Sequence, residues 1–229
     1  MARRDLCALL ERKGFLPRHV AEVGVYHPAT SNILPYVRQG LRCTLVEPDP
    51  RSIAAIKEHF AGLPNVTLHE VAVFDRGGRI ELTQRQASTF VSELSASPAI
   101  VNDGYQDRAE DRFTVEARTF DQLDDGSIDL LSVDVEGSEW FVVKHMVSRP
   151  AVLSLETHGG AYRNPHLGEI LRWTRSEGYQ VLAKTLADTV FVRPGVVPVT
   201  LGDRARLAAM ELRLAIRRAR KQLRLRLRS

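Results

Sequence analysis

Short apolar runs alternate with helical patterns along most of the chain, from residue 19 to about residue 185. Strands are predicted over residues 19–25, 42–46, 65–74, 79–84, 113–120, 128–134 and 151–158, and helices over residues 33–39, 50–60, 138–146 and 166–176. Two last runs, residues 180–186 and 189–195, are close enough to pair antiparallel through a short turn. The pattern predicts an α/β fold with a mostly parallel sheet, covering helices and a terminal antiparallel hairpin.

Three segments depart from this alternation. Residues 86–112 are rich in Ser, Ala, Asp and Gly, and they are interpreted either as a functional lid over a site or as a solvated excursion. Residues 1–18 are expected to form an N-terminal helix, and residues 200–229 a C-terminal helix. The region between them, residues 19–195, is therefore expected to be a single α/β domain.

The C-terminal helix is predicted to be basic and amphipathic. One face carries Leu212, Ile216, Ala219, Leu223 and Leu227, and the face beside it carries Arg213, Arg217, Arg220, Arg224 and Arg228. Three alternatives stay open for this helix. In the first, its apolar stripe packs on the body or on a second subunit as a homodimer contact. In the second, the helix lies on an anionic membrane. In the third, it contacts RNA or is partly disordered.

Charge is unevenly distributed along the chain. Residues 201–229 hold ten Lys or Arg against two acids, whereas the remaining chain holds 22 basic and 26 acidic residues. The basic isoelectric point therefore belongs to the C-terminal segment and gives no argument that the main domain binds nucleic acid. No nucleic-acid partner is expected.

The sequence also bears on location. No apolar run reaches about eighteen residues, so no membrane span is expected. The first fifteen residues are interrupted by Glu11, Arg12 and Lys13, which is typical of a short helix rather than a secretory signal. A cytoplasmic location is expected, with peripheral contact at the inner membrane surface as the alternative that the basic helix allows. Cys7 and Cys43 lack metal or redox spacing and are expected to be buried thiols.

The most informative stretch of the chain is residues 128–139, IDLLSVDVEGSE, where an apolar run ends in two acids. Strand side chains alternate between faces, so Asp134 and Glu136 are expected to share one face before the chain turns at Gly137. This arrangement places charge at the carboxyl edge of a parallel sheet, where open α/β folds bind ligands. Asp134 and Glu136 are therefore candidate catalytic residues.

A second acid, Glu47, ends the strand over residues 42–46 and is followed by Pro48. At this position a carboxylate can accept both hydroxyls of a ribose, although Glu47 is also placed to act as an acid at the start of the next helix. Gly24 ends the first strand and allows close backbone approach to a cofactor. No GxGxxG or P-loop motif is present, which disfavours a nicotinamide oxidoreductase.

The next strand supplies a third pair of polar groups, Glu156 and His158. These side chains are expected to share a face and to meet Asp134 and Glu136 above the sheet. A neutral imidazole can accept a proton near neutral pH, so His158 is the preferred general base, with a polar loop residue as the competing interpretation. Asp134 and Glu156 are candidate ligands of Mg²⁺, although solvated acids at a strand end are common without a metal.

Four segments resemble the FkbM-type S-adenosylmethionine-dependent methyltransferases. In chain order they are EVGVYHPATSN, LVEPDP, VTLHEVAVFDRGG and DLLSVDVEGSEW, and the resemblance covers about residues 19–195. The usual first motif of the family resembles DxGANxG. Here Glu22 replaces the acid, Tyr26 the asparagine and Pro28 the second glycine, and the closer match is a subset with an acid–proline pair followed by SN.

The resemblance implies a Rossmann-like class I methyltransferase fold with strand order 3-2-1-4-5-7-6. It implies binding of S-adenosylmethionine through the following cofactor residues: Glu22, Gly24, Ser31, Asn32, Glu47, Pro48, Ala72, Val73 and Asp134. The expected activity is O-methylation of a small-molecule or glycan hydroxyl, on a saccharide, a glycan or a glycosylated natural product. The alternatives are methylation of a polyketide or lipid hydroxyl, and a catalytically degenerate module that binds a membrane or a partner.

Overall fold

The computed structural model describes residues 5–85, 88–94, 96–103, 105 and 108–226. The helices are α1 (Asp5–Arg12), α2 (Leu34–Arg38), α3 (Pro50–His59), α4 (Pro98–Asp103), α5 (Glu139–Lys144), α6 (Leu167–Ser176) and α7 (Leu201–Arg226). The strands are β1 (His19–Val23), β2 (Arg42–Val46), β3 (Val66–His69), β4 (Ala72–Val73), β5 (Gly78–Arg85), β6 (Ser88–Val91), β7 (Arg112–Arg118), β8 (Leu130–Val133), β9 (Val152–Glu156), β10 (His158–Gly159), β11 (Tyr162–Arg163), β12 (Gln180–Lys184) and β13 (Asp188–Val192).

The main sheet has seven strands in the order β12-β13-β9-β8-β1-β2-β3. Six of them run in the same direction, and β13 alone runs the other way, antiparallel to both β9 and β12. Numbered along the chain, this is the order 3-2-1-4-5-7-6, so the predicted fold class and its terminal hairpin are confirmed. The order reverses between β1 and β8, and in open α/β sheets ligands bind at the carboxyl ends of strands beside such a reversal.

Burial explains why these runs form the central strands. Every residue of β1, β8, β9 and β13 is buried, and apolar layers cover both faces of the sheet. In a sequence, parallel strands that are buried on both faces appear as near-continuous apolar runs. The three carboxylates of this buried set, Glu22, Glu156 and Asp188, therefore need specific partners.

A second sheet was not predicted from the sequence. β4, β7, β5 and β6 form a separate four-stranded sheet in which β5 pairs antiparallel with β6 and β7. The predicted strand over residues 65–74 is thus wrong as one strand: β3 belongs to the main sheet and β4 to the second. β6 and α4 lie in the segment predicted as a lid or solvated excursion, so this segment contains regular structure. Its role as a lid stays a prediction.

The C-terminal helix α7 packs on β12 through a face different from the predicted one. Leu207, Met210 and Leu214 are half-buried, whereas Leu212 is 64% exposed and Ile216 is 44% exposed. The predicted stripe therefore faces away from the body, and its packing on the body is wrong. Leu227 and Arg228 lie outside the described residues, as do the side chains of Leu223 and Arg224. No helix among the described residues is long and apolar enough to cross a membrane.

Candidate functional site

A cavity of about 570 Å³ lies at the carboxyl ends of β1, β2 and β8. Its wall includes nine of the residues predicted for the site: Glu22, Gly24, Asn32, Glu47, Pro48, Ala72, Val73, Asp134 and Glu136. The second sheet contributes Thr89, Phe90 and Val91, which the sequence analysis did not identify as site residues. The volume lies within the range of small-molecule sites, and the position matches the reversal of strand order.

The turn after β1 is held by a glycine that no other residue can replace without strain. Gly24 has φ +82°, and a Cβ atom built on it would lie 1.9 Å from the backbone oxygen of Asp134. β1 and β8 therefore approach at Gly24 more closely than a side chain allows. Tyr26, at φ 53° and 44% exposed, continues the same turn along the cavity wall.

Glu22 anchors the segment that follows this turn. One of its carboxylate oxygens accepts a hydrogen bond from the Ser31 hydroxyl at 2.5 Å, and the other accepts from the Asn32 backbone N–H at 2.9 Å. The Asn32 side chain donates to the Ser132 hydroxyl at 3.0 Å, which ties the segment to β8. Asn32 lines the cavity, whereas Ser31 acts through Glu22, so the network shapes the end of the cavity beside β1 and β8.

Glu47 closes the same turn from β2. Its Oε2 accepts backbone N–H groups of Val25 at 2.9 Å and of Tyr26 at 2.8 Å, while its Oε1 accepts the Asp49 N–H at 2.9 Å. Burial raises the pKa of Glu47, and these N–H groups act in the opposite direction. A carboxylate has about four acceptor sites, and three are used here, so Glu47 can hold the turn and still accept one ligand hydroxyl.

The other end of the cavity is acidic. Asp134, Glu139 and Glu156 bring one carboxylate oxygen each to within 4.8 Å of one another, and Asp134 also lines the cavity. Burial raises the pKa of Glu156 well above its ordinary value, and the charges of Asp134, Glu136 and other acids raise it further. Like charges this close disfavour simultaneous ionisation. We call Asp134, Glu139 and Glu156 the acid cluster.

Glu139, which the sequence analysis did not select, braces the turn that carries the other acids. Its Oε1 accepts backbone N–H groups of Val135 at 3.1 Å and Gly137 at 3.2 Å, and its Oε2 accepts the side-chain N–H of Asn164. Burial raises the pKa of Glu139 to about 7. Glu139 is the third acid of the stretch DVEGSE, so the sequence contained a signal for it. Only the fold shows that its carboxylate accepts hydrogen bonds from the backbone of the turn before it.

The strand geometry expected for Asp134 and Glu136 is wrong in one respect. β8 ends at Val133, so the two acids lie in the turn after the strand and not on alternating strand positions. Glu136 has φ 55° and Gly137 φ +115°, and a Cβ on Gly137 would lie 2.9 Å from the backbone oxygen of Ala96. Both acids nevertheless line the cavity, and their catalytic role stays a prediction.

Tyr162 is a further residue that the sequence analysis missed. Its ring is fully buried, and its hydroxyl has no hydrogen-bond partner among the described residues. Burial raises the pKa of Tyr162 strongly, and the charges of Glu139, Glu156, Glu136 and Asp134 raise it further. A Cβ built on Gly137 would lie 3.6 Å from this hydroxyl, so the hydroxyl lies against the turn that carries the acids. Glu156 likewise has one buried oxygen without a hydrogen-bond partner in the described part of the chain.

His158 lies apart from these groups. The chain leaves the main sheet after Glu156, and the His158 ring bonds to the Thr157 hydroxyl through Nδ1 at 2.8 Å and to the Thr185 carbonyl through Nε2 at 3.2 Å. A carbonyl only accepts, so Nε2 carries the proton and Nδ1 accepts from Thr157. Burial lowers the pKa of His158. His158 as the base stays a prediction that this geometry does not favour.

The strand order and the cavity at its reversal define a class I methyltransferase fold. The sequence matches the family described as "Methyltransferase FkbM domain" over residues 22–181. Because this match spans more than half of the chain, the chain belongs to the FkbM methyltransferase family.

One curated relative and two solved structures illustrate the likeness. The 2-O-methyltransferase NoeI of Sinorhizobium fredii is 28% identical over 153 residues, which cover 61% of this chain and 60% of NoeI, less than two thirds of its length. A SAM-dependent methyltransferase from Aquifex aeolicus is 13% identical, with TM-score 0.42 and coverage of 83% and 92% of the two chains. A ribosomal protein L11 methylase from Lactobacillus delbrueckii subsp. bulgaricus is 14% identical, with TM-score 0.41 and coverage of 82% and 75%. These structural likenesses are too weak to carry an argument about function.

Proposed function

We propose that this chain transfers a methyl group from S-adenosylmethionine to a hydroxyl of a saccharide, a glycan or a glycosylated natural product. The observation that carries the proposal is the cavity, which joins two different environments at the reversal of strand order. One end is the hydrogen-bonded turn of Gly24 and Glu47, and the other is the acid cluster around Asp134. Family membership and the 2-O-methyltransferase relative support O-methylation.

The residues at the first end fit the proposed donor. Glu47 offers carboxylate oxygens at the end of β2, where a ribose can be held, and the apolar Ala72 and Val73 lie on the same wall. Gly24 lets the turn after β1 lie against the backbone of Asp134 at the cavity wall, and the Asp134 side chain offers negative charge beside a cation. When bound, S-adenosylmethionine supplies a positively charged sulfonium whose methyl group is transferred.

The acid cluster is suited to receive the acceptor. Carboxylates accept hydrogen bonds from sugar hydroxyls, and a hydroxyl that attacks a methyl group has to lose its proton. A buried carboxyl whose pKa is raised toward neutrality is an effective proton acceptor, and Glu139 and Glu156 have raised pKa values. Neither lines the cavity, so a proton would reach them through Asp134, whose carboxylate lies within 4.8 Å of theirs. We assign the contact with the acceptor to Asp134 and Glu136, because these two acids reach the cavity.

A magnesium form of the same site is the second candidate. The three carboxylates of the acid cluster are oxygen ligands of the kind that Mg²⁺ prefers, and a bound cation would relieve their repulsion and acidify a hydroxyl. Oxygens around Mg²⁺ lie at most about 4.2 Å apart. The cluster, with oxygens within 4.8 Å, would therefore close slightly around this ion.

The test is incubation with methyl-labelled S-adenosylmethionine and a panel of sugars, lipid-linked glycans and polyketides, with mass spectrometry of the products. Label on a saccharide hydroxyl is expected, and Asp134→Asn should lower turnover by at least 100-fold. Asp121→Asn, on the exposed surface, is the matched control and should retain turnover. Loss of turnover with EDTA and recovery with Mg²⁺ would select the magnesium form.

Label on a polyketide or lipid hydroxyl alone would reject the saccharide acceptor while keeping O-methylation. Binding of the donor with no product from the whole panel, together with unchanged donor affinity in Asp134→Asn, would favour the degenerate module. Retained turnover in Asp134→Asn would contradict the role of the acid cluster.

A further inference from the structure

The outward face of α7 combines an apolar stripe with a row of arginines. At 100° per residue, Leu201, Ala205, Ala208, Leu212, Ile216 and Ala219 point within about 40° of one direction. All six are exposed, and Leu201 and Leu212 are 83% and 64% exposed. We call these residues the outer stripe. It lies opposite Leu207, Met210 and Leu214, which face the body.

Arg213, Arg217 and Arg220 lie together on one side of the helix, about 80–140° from the centre of the outer stripe, and all three are exposed. None of them forms an ion pair with another described residue, whereas both acids of the helix are used elsewhere. Asp203 pairs with Lys13 and Arg206, and Glu211 pairs with Lys184 at 2.9 Å. The arginine row therefore presents uncompensated positive charge beside an apolar stripe.

The body holds this helix in place at both ends. Near its start, Asp203 bonds to Lys13 and to the Thr200 hydroxyl. Near its end, Lys221 donates to the Asn102 side-chain oxygen at 2.8 Å. The outer stripe is thus displayed to solvent by a helix that contacts the body near both of its ends.

We propose that the outer face of α7 docks on an anionic lipid bilayer. Apolar side chains enter the boundary between headgroups and acyl chains, and the flanking arginines meet lipid phosphates and carboxylates. A second copy of the chain fits less well, because pairing two outer stripes would bring arginine rows together without acids to neutralise them. A nucleic acid would contact the arginines but would leave the outer stripe in water.

Docking in this orientation would also orient the site. The Asn102 side chain that receives Lys221 also donates to the Gly159 carbonyl at 2.9 Å and accepts the Ala161 N–H at 2.8 Å. Tyr162, beside the acid cluster, follows Ala161 directly. The end of α7 is therefore linked, through the hydrogen bonds of the Asn102 side chain, to the loop that carries Tyr162 beside the acid cluster.

The experiment is co-sedimentation of the full chain with vesicles, without donor or acceptor, so that its outcome is independent of the proposed function. Binding is expected to vesicles containing phosphatidylserine, with little binding to pure phosphatidylcholine and strong weakening in about 1 M salt. The triple variant Arg213→Gln, Arg217→Gln, Arg220→Gln should lose about 100-fold in affinity. Leu212→Asn with Ile216→Asn should lose at least about 10-fold.

The matched control removes three exposed arginines from the body, by Arg38→Gln, Arg79→Gln and Arg175→Gln. Its affinity should stay within about 3-fold of the unmodified chain, because distant charges are screened. Circular dichroism establishes that each variant is folded, and the lipid and salt comparisons on the unmodified chain do not depend on any variant.

Several outcomes would overturn the proposal. They are no co-sedimentation, equal binding to neutral vesicles, or vesicle binding by the arginine triple variant equal to that of the control. A dimer dissociated by Leu212→Asn, without vesicle binding, would assign the outer stripe to a second copy instead. RNA binding without vesicle binding would assign the arginine row to nucleic acid.

Discussion

At the β1–β2 end of the cavity, buried carboxylates accept backbone N–H groups, whereas at the β8–β9 end three carboxylates face one another. Glu22 and Glu47 each receive at least two hydrogen bonds, so their charges fix a turn. Glu139 and Glu156 have raised pKa values, and one Glu156 oxygen has no hydrogen-bond partner among the described residues. The first end is organised to hold a ligand, and the second has unused capacity to accept protons or a cation.

The largest expected effect on the β1–β2 end of the cavity comes from a substitution at Gly24. Gly24→Ala would place a Cβ 1.9 Å from the Asp134 oxygen, so β1 and β8 must separate, at an expected loss of at least about 3 kcal/mol in the free energy of unfolding. Gly40→Ala is the matched control, since Gly40 has a similar φ of +78° with no atom within 4 Å of a built Cβ. It should lose only about 1 kcal/mol. Equal losses in urea unfolding would show that backbone strain, and not the close approach of β1 and β8, decides the residue at Gly24.

The raised pKa values in the acid cluster predict that its contribution to stability falls as the pH rises. In ordinary acid denaturation, by contrast, stability falls as the pH falls. The pKa of Glu139 is raised from 4.5 to about 7, so the folded chain binds more protons than the unfolded chain between these values. The contribution of Glu139 to the free energy of unfolding should therefore fall as pH rises through this window, by at most about 3 kcal/mol. The lowered pKa values of His19, His69 and His158 act in the opposite direction, so the difference between variants, and not the net change, measures the acid cluster. Glu156→Gln, which removes a second carboxyl with a raised pKa, should reduce the fall.

Urea unfolding at about pH 5 and about pH 8 measures this difference. Glu58→Gln changes an exposed carboxyl on α3 and should leave the pH dependence as in the unmodified chain. An equal fall in Glu156→Gln and Glu58→Gln would contradict the coupling within the acid cluster. In the magnesium form, added Mg²⁺ should raise the melting temperature at about pH 8 in the unmodified chain and not in Glu156→Gln.

The smallest expected effect is that of His158→Ala on turnover. The His158 ring bonds to Thr157 and Thr185, so its removal should cost about 1–2 kcal/mol of stability and lower kcat less than 10-fold. Donor affinity should not change. A fall in kcat of more than 100-fold in a folded variant with unchanged donor affinity would establish His158 as the base and reject the geometric argument.

The sequence predicts the main sheet well because its strands are apolar runs bounded by turn residues, and the central strands β1, β8 and β9 are buried along their whole length. β2, predicted over residues 42–46, is found at Arg42–Val46. The second sheet was not predicted because pairing between β5, β6 and β7 depends on contacts across the insertion. Such partners are set by tertiary structure and leave no periodic signal.

The residues of the candidate site also divide into those that the sequence predicts and those that it does not. Gly24, Glu47 and Asp134 stand at strand ends, and a strand end can be located from the apolar run before it. His158 follows its strand by two residues, and period-2 reasoning fails there because β9 ends at Glu156 and the chain turns toward Thr185. Tyr162 and Asn164 reach the acid cluster from a separate loop, a contact that no local pattern contains.

The central claim is that the cavity at the strand reversal holds S-adenosylmethionine, with Glu47 as a principal contact. Calorimetric titration of S-adenosylmethionine tests it, with Glu70→Ala as the matched control: Glu70 follows β3 as Glu47 follows β2, but it is exposed and outside the cavity wall. Binding to the unmodified chain and to Glu70→Ala is expected, with affinity about 100-fold lower in folded Glu47→Ala. No binding by the unmodified chain, or equal affinity in Glu47→Ala, would contradict the account.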